Sequence, residues 1–394
     1  MKLFARGAAV CLFAASLAHA DTLLILPFFN GSGNPSLDWV GESIAETVRE
    51  AFANQGLVAL DREDRQEAFR RLGVRPYVQL TRATVVKLGQ MLDADQVVYG
   101  EFDFTPLKDA APAKGTVRIT AHILNLRKMS QGPEFSEIGS LEDLAAEQRR
   151  IAWQSLRYLI PGKAPSEEEF SRITPQVRVD AIESFIRGLL AGTYDQKFKL
   201  FSQAVRLQPD YPDARYQLGL LLFGRKDYRA AAEWLSNIAA TDAHARSATF
   251  YLGLSRYYLG DYAAAEAAFA EVAKAVPLNE VINNLGAAQS RRNAPEALDS
   301  FSHALEGDSA DPVYHFNVGY ALWKQGKFEA AADRFRSVLD RNPEDGEAKV
   351  MLGRCLKRTV FRPGDLRENA ERLKTNYEES AWWQLKAVIE PKKQ

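Results

Sequence analysis

YHFNVGYALWKQGKFEAAADRFRSVL, Tyr314 to Leu339, carries two apolar stripes at helical spacing on either side of Gln325-Gly326-Lys327. Its Gly319 has counterparts at 219, 253, 286 and 353, at steps of 34, 33, 33 and 34. Ala231, Ala265, Ala297 and Ala331 recur where a second helix must cross the first. Leu235, Phe269, Phe301 and Phe335 follow four residues later as packing knobs. Pro277 and Pro343 end second helices, where the ring blocks further helical hydrogen bonding. Independent positions that recur together define a helix pair that buries its apolar face only by stacking on copies of itself.

That period and those positions resemble the tetratricopeptide repeat. An earlier unit, AIESFIRGLLAGTYDQKFKLFSQAVRLQPDY, places Phe201, Ala204 and Pro209 in register, which gives about five or six units over residues 178–360. The last unit opens at Gly346 and is interrupted after Lys357 by RTVFRPGDL. RENAERLKTNYEESAWWQLKAVIE then has helical composition, so residues 361–394 are expected to be capping helices.

Positions three before, one after and four after each repeat glycine share one helix face. The candidate partner-binding groove is therefore Tyr216, Phe223, Phe250, Tyr257, Asn283, Phe316, Tyr320, Trp323 and Arg354. Aromatic density of this kind is the composition of binding hot spots. The same side chains could instead serve only to pack adjacent helices. Some tetratricopeptide repeats clamp a peptide's terminal carboxylate with Lys, Arg and Asn. Here Asn284 and Asn317 occur, but Phe250, Glu280 and Val313 stand where the cations would be, so no such clamp is expected.

The first 160 residues have a different texture. TLLILPFFNGSGNPSLDWVGESIAETV, Thr22 to Val48, reads as strand, glycine-bearing loop and helix. Val117, Ile119, Ala121 and Ile123 alternate with Arg118, Thr120 and His122, the pattern of a half-buried strand. Mixed strands and helices over 21–160 predict an α/β sandwich, and the whole chain is α+β. Pro27-Phe28, Gly33, Asp38-Trp39, Gly100 and Arg118-Ile119-Thr120 resemble the TolB-like amino-terminal domain. That resemblance implies a non-catalytic module of bacterial envelope or signalling proteins.

The loop Asn30–Asn34 has two readings. Ser32, Gly33 and Asn34 could contact an anion at the following helix N-terminus. Yet the loop has no Walker-type Lys, and Ser36 stands where a dinucleotide loop needs its third glycine. Asn30, Gly31 and Gly33 equally permit a turn, with Asn34 or Ser36 as helix cap and Pro35 in the first turn.

Other features bound the function. The N-terminal segment has Lys2 and Arg6, an apolar run Gly7–Leu17, and Ala18-His19-Ala20. It reads as a signal peptide, 1–20, cut after Ala20, which makes the expected location periplasmic or secreted. Cleavage removes Cys11 and leaves Cys355 alone, so no intramolecular disulfide is expected. Residues 161–177, with Pro161, Pro165 and Pro175, read as a linker. The net charge of −1 gives no field for nucleic acid. His122, His244, His303 and His315 fit no metal-binding spacing, and no nucleophile elbow is present. No catalytic residue, metal or cofactor is expected. The sequence thus predicts a non-enzymatic scaffold of the bacterial envelope that binds a protein or peptide. The alternative is a small-ligand sensor acting through the N-terminal domain.

Overall fold

The computed structural model describes residues 21–75, 77–107, 114–173, 176–362, 369–379 and 382. The expected signal peptide, 1–20, lies outside the described residues.

The N-terminal unit is built on a six-stranded mixed sheet: β1 (Thr22–Ile25), β2 (Phe29–Asn30), β3 (Val58–Ala59), β4 (Gln96–Pro106), β5 (Gly115–Asn125) and β6 (Ser130–Ser140). The order is β3-β1-β4-β5-β6, with β2 also on β4. β1 lies parallel to β3 and β4, while β4, β5 and β6 run antiparallel. Successive residues of β1 point to opposite faces. Leu23 and Ile25 join a core under α1 (Asp38–Asn54) and α4 (Leu144–Leu159). Leu24 and Leu26 join a smaller core under α2 (Arg62–Leu72) and α3 (Arg82–Met91). The sheet is therefore covered on both sides. Asp61 and Thr81 cap α2 and α3 by accepting from the Asp64 and Thr84 amides.

A short α5 (Glu167–Ile173) falls inside the expected linker. Then come five helix pairs: α6 (Val179–Leu190) with α7 (Tyr194–Leu207), α8 (Pro212–Gly224) with α9 (Tyr228–Leu235), and α10 (Ala245–Tyr258) with α11 (Tyr262–Ala275). α12 (Asn279–Arg291) pairs with α13 (Ala297–Gly307), and α14 (Pro312–Lys324) with α15 (Phe328–Arg341). Among the described residues, α16 (Gly346–Leu356) follows as the last helix of the stack.

The glycine period has a steric cause. A Cβ at Gly219, Gly253 or Gly286 would sit 2.6, 2.8 or 2.8 Å from Leu235, Phe269 or Phe301. Each knob of the second helix thus presses on the glycine of the first. Gly353 has no atom within 4 Å of its Cβ position among the described residues. α16 packs on α15 and α14.

The main correction to the sequence reading is at the C-terminus: residues 361–394 were expected to be capping helices. Residues 369–378 are instead extended and lie in the concave face of the solenoid. The remainder of that expected region lies largely outside the described residues.

Candidate functional site: the concave groove

First helices α10, α12, α14 and α16 line the concave face, and the tail Asn369–Glu379 runs along it from α16 back toward α10. Three asparagines hold its main chain. Asn317 Oδ1 accepts from the Arg372 amide at 2.8 Å, and Asn317 Nδ2 donates to the Arg372 carbonyl at 2.7 Å. One repeat earlier, Asn284 does the same to Lys374, at 2.8 and 2.7 Å. Asn283 donates to the Arg372 carbonyl at 2.9 Å and accepts from Asn317 at 2.7 Å. A carboxamide carries an acceptor and a donor on one plane, so it satisfies both polar groups of one extended residue. All three asparagines are fully buried, and the pairing leaves none of them unsatisfied. At the far end Glu280 accepts from the Glu378 amide at 3.1 Å.

Side chains of the tail meet specific partners. The Arg372 guanidinium forks onto Asp345 at 2.7 and 2.8 Å, reaches Glu347 at 2.9 Å, and lies 3.5 Å over the Phe316 ring. The Asp345 carboxyl is held below its usual range by this hydrogen bond. Lys374 donates to Asp311 and lies 5.2 Å over Tyr314. Glu371 accepts from Ser290 at 2.8 Å and lies 2.7 Å from Arg291. Tyr377 stacks on Phe250 at 5.0 Å.

The residues singled out from the sequence separate into groups. Phe250, Asn283, Phe316 and Tyr320 touch the tail, the last through the Ala370 backbone. Tyr257 lies beside it, its hydroxyl accepting from Arg291 at 2.9 Å. Trp323 packs on Phe361 and donates to the Thr359 carbonyl at 2.7 Å, with Arg354 5.5 Å over its ring. Tyr216 stacks on His244 at 4.4 Å and lies within electrostatic reach of Tyr377 and Glu379 at the tail's end, while Phe223 sits among Tyr228, Tyr251 and Tyr258. Phe250, Phe316, Tyr320 and Trp323 are 0% exposed. They floor the groove.

Asn284 and Asn317 entered the sequence reading only as parts of a clamp that was set aside. Their signal was the period itself, since Asn284 and Asn317 each stand two before a repeat glycine, one repeat apart. Asp311 and Asp345 were missed, although they too are one repeat apart. Each caps its own helix, α14 or α16, by accepting from the Val313 or Ala348 amide.

The loop Asn30–Asn34 is a self-contained turn. Asn30 Oδ1 accepts from the Ser32 amide and hydroxyl at 3.1 and 2.6 Å, and its Nδ2 donates to Asp38 at 2.8 Å. Asn34 caps the next helical turn through the Ser36 amide, and Gly33 holds φ +69°. Its Asn30 and Asn34 side-chain oxygens are engaged by the Ser32 and Ser36 amides, and the Asp38 carboxylate lies in the first turn of α1, where an anion would sit.

Where the two units meet, a cleft of about 420 Å³ is lined by Glu46, Glu50, Asp213, Asp242 and His244 among others. Glu50, Asp213 and His244 bring ligand-type atoms within 4.8 Å of one another. His244 Nε2 is 2.8 Å from Asp213, so its ring nitrogen is engaged. Burial, then the neighbouring Asp213, pushes Glu50 up to about 8.

A family model described as tetratricopeptide repeat matches residues 199–247 and 316–359, and a second of the same description matches 247–279. The solenoid is thus made of tetratricopeptide repeats, a class that generally mediates protein–protein interaction and is generally non-enzymatic. The cell division cycle protein 16 homolog of Homo sapiens is 26% identical over 161 residues, which are 40% of this chain and 22% of that protein. The match therefore spans under a quarter of the relative's length. Two solved structures are similar at 19% identity. One is MamA from Desulfovibrio magneticus RS-1, with TM-score 0.38, covering 41% of this chain and 92% of that one. The other is YrrB, described as a tetratricopeptide protein with an unusual peptide-binding site, with TM-score 0.35, covering 49% and 92%. Among the described residues no helix is long and apolar enough to cross a membrane.

Proposed function

We propose that the chain is an exported, non-enzymatic scaffold of the bacterial envelope whose concave groove binds a partner as an extended strand. The observation that carries the groove reading is the paired bonding of Asn317 and Asn284 to alternate residues of a strand. An extended backbone presents such donor and acceptor pairs, whereas a helix spends them internally. A helical partner therefore does not suit this groove. The envelope assignment is supported by the signal-type N-terminus and by the TolB-like residues of the first unit. The sensor alternative has less support, because the Asn30 and Asn34 side chains are taken up by the Ser32 and Ser36 amides.

The groove is tested with a library of displayed linear peptides. The target is the full chain with its tail loosened by Arg372→Glu and Lys374→Glu. Binders should be enriched, and adding Asn284→Ala and Asn317→Ala should abolish them. No enrichment, or binders indifferent to both asparagines, would reject the groove. Export is read from fractionation and N-terminal sequencing, with Asp21 as the expected first residue. A chain retained in the cytoplasm with Met1 intact rejects the envelope role.

A further inference from the structure

We infer that the tail is an internal copy of the partner's recognition segment. The groove selects an extended strand with two cations spaced two residues apart, an acidic residue just before the first cation, and an aromatic ring five residues after it. This rests on the groove reading above and adds to it the chemistry of the partner.

The bonds to the asparagines are blind to sequence, because they engage only main chain. Selectivity lies in what the alternate side chains meet. Arg372 and Lys374 are two residues apart, and their receptors Asp345 and Asp311 are 34 apart. One step of the solenoid thus reads one step of two along the strand. Both receptors are helix caps, fixed by bonds to their own helix amides, so the carboxylates are placed before any ligand arrives. The code stops after two cations. The next cap position back along the solenoid is Leu278 of α12, which makes no side-chain cap bond and offers no carboxylate.

The other two elements of the code have their own receptors. Glu371 enters a site made by Ser290 and Arg291, and its side chain is 0% exposed. A residue without charge there would leave Arg291 without this partner in a half-buried setting. Tyr377 stacks on Phe250, five residues after Arg372. The surface selected is therefore Glu-Arg-x-Lys-x-x-Tyr in an extended chain.

The tail is tethered, which gives it a high local concentration at the groove. An outside segment must displace it, so a partner matching all four features competes and a partner matching fewer does not. The groove is closed to weak ligands and opens to the right one.

The test uses a synthetic peptide of residues 369–379 and the full chain, followed by fluorescence anisotropy. The Arg372→Glu/Lys374→Glu chain should bind the peptide at least about tenfold more tightly than the wild-type chain, whose own tail competes. A peptide with the same two charges reversed should lose about tenfold or more on the released chain. A peptide with Tyr377 replaced by Ala should bind more weakly than the parent. Circular dichroism of the double variant checks that the helices persist. Equal binding of parent and charge-reversed peptides would overturn the code while leaving a strand-binding groove intact. Failure of every peptide, in a folded chain that also enriches no library member, would overturn both readings. A groove filled only by a second copy, seen as a concentration-dependent doubling of mass without peptide uptake, would overturn the claim of an outside partner.

Discussion

At the scale of single residues, Arg65 shows what a buried charge must be given. It is nearly fully buried, donates to the Ile25 carbonyl at 3.0 Å, and pairs with Glu42 and Glu46 of α1. Removing it leaves Glu42 with Arg62 and Glu46 with Arg49, each short of one buried charge partner, and takes a donor from the Ile25 carbonyl. Arg65→Leu should cost about 3–5 kcal/mol of stability, measured by urea denaturation. A strain of opposite sign sits at Lys226, which ends α8 with φ 63°. Gly260 and Gly326 take the corresponding place in later repeats, at φ 84° and 75°. Lys226→Gly should therefore raise stability by about 1 kcal/mol, seen as a higher melting temperature. Residue-scale legibility followed periodicity. Phe250, Asn283, Phe316 and Tyr320 were found because a repeated pattern marked their face. Asp311 and Asp345 were not, because a cap carboxylate looks the same in sequence whether or not it also receives a cation. The Arg65 partners, some twenty positions away on α1, have no periodic signature at all.

At the scale of elements, the helix pairs were fully legible, since glycine and knob recur together for a steric reason. Gly253→Leu should test that reason. Its side chain would enter space held by the Phe269 ring, whose nearest atom lies 2.8 Å from the Cβ position. The expected loss is about 1–3 kcal/mol, visible in the chemical midpoint. The tail was illegible for an equally physical cause. NAERLKTNYEE is rich in good helix formers, and intrinsic propensity favours a helix. Propensity differs by less than about 1 kcal/mol per residue, and the groove outweighs it. Four main-chain groups of Arg372 and Lys374 are satisfied by asparagine amides, and both side chains are paired with carboxylates. An isolated sequence window contains none of those partners.

At the scale of the molecule, the two units share a core. Val40, Ile44 and Phe52 of α1 belong to the same buried cluster as Ile182 and Phe185 of α6 and Phe201 of α7. Arg187 of α6 also donates to the Ser36 carbonyl at 2.6 Å. The expected linker thus separates two textures of sequence but not two independently packed bodies. The junction also carries a pH dependence. Glu50 faces Glu46 and Arg49 on its own helix, Asp213 of α8, and Asp242 and His244 of the α9–α10 connection. Its folded value, about 8, lies above the ordinary 4.5. Its contribution is present in full below the ordinary value and fades as pH rises toward 8. Burial works to lower His244, but its hydrogen bond and charge pairing with Asp213 win and raise it, so it acts in the same direction. Glu50→Gln, which keeps the neutral shape, should stabilise the protein relative to wild type progressively more between pH 5 and pH 8. The melting-temperature difference between the two proteins measures this; a difference independent of pH would refute it.

The tail also joins distant points of a curved body. It is fastened at Asp345, the cap of α16, and again by Glu379 to Arg246 on α10, three repeats earlier. A strand fixed at two points along the inner side of an arc acts as a chord, and a chord sets the radius of the arc. Solenoids of stacked pairs behave as springs, because each pair touches only its neighbours. Cutting the chord while keeping every helix should relax that spring. Arg372→Glu with Lys374→Glu is thus expected to increase the radius of gyration in small-angle scattering with helix content unchanged. The solenoid would then report the state of its groove as a change in shape.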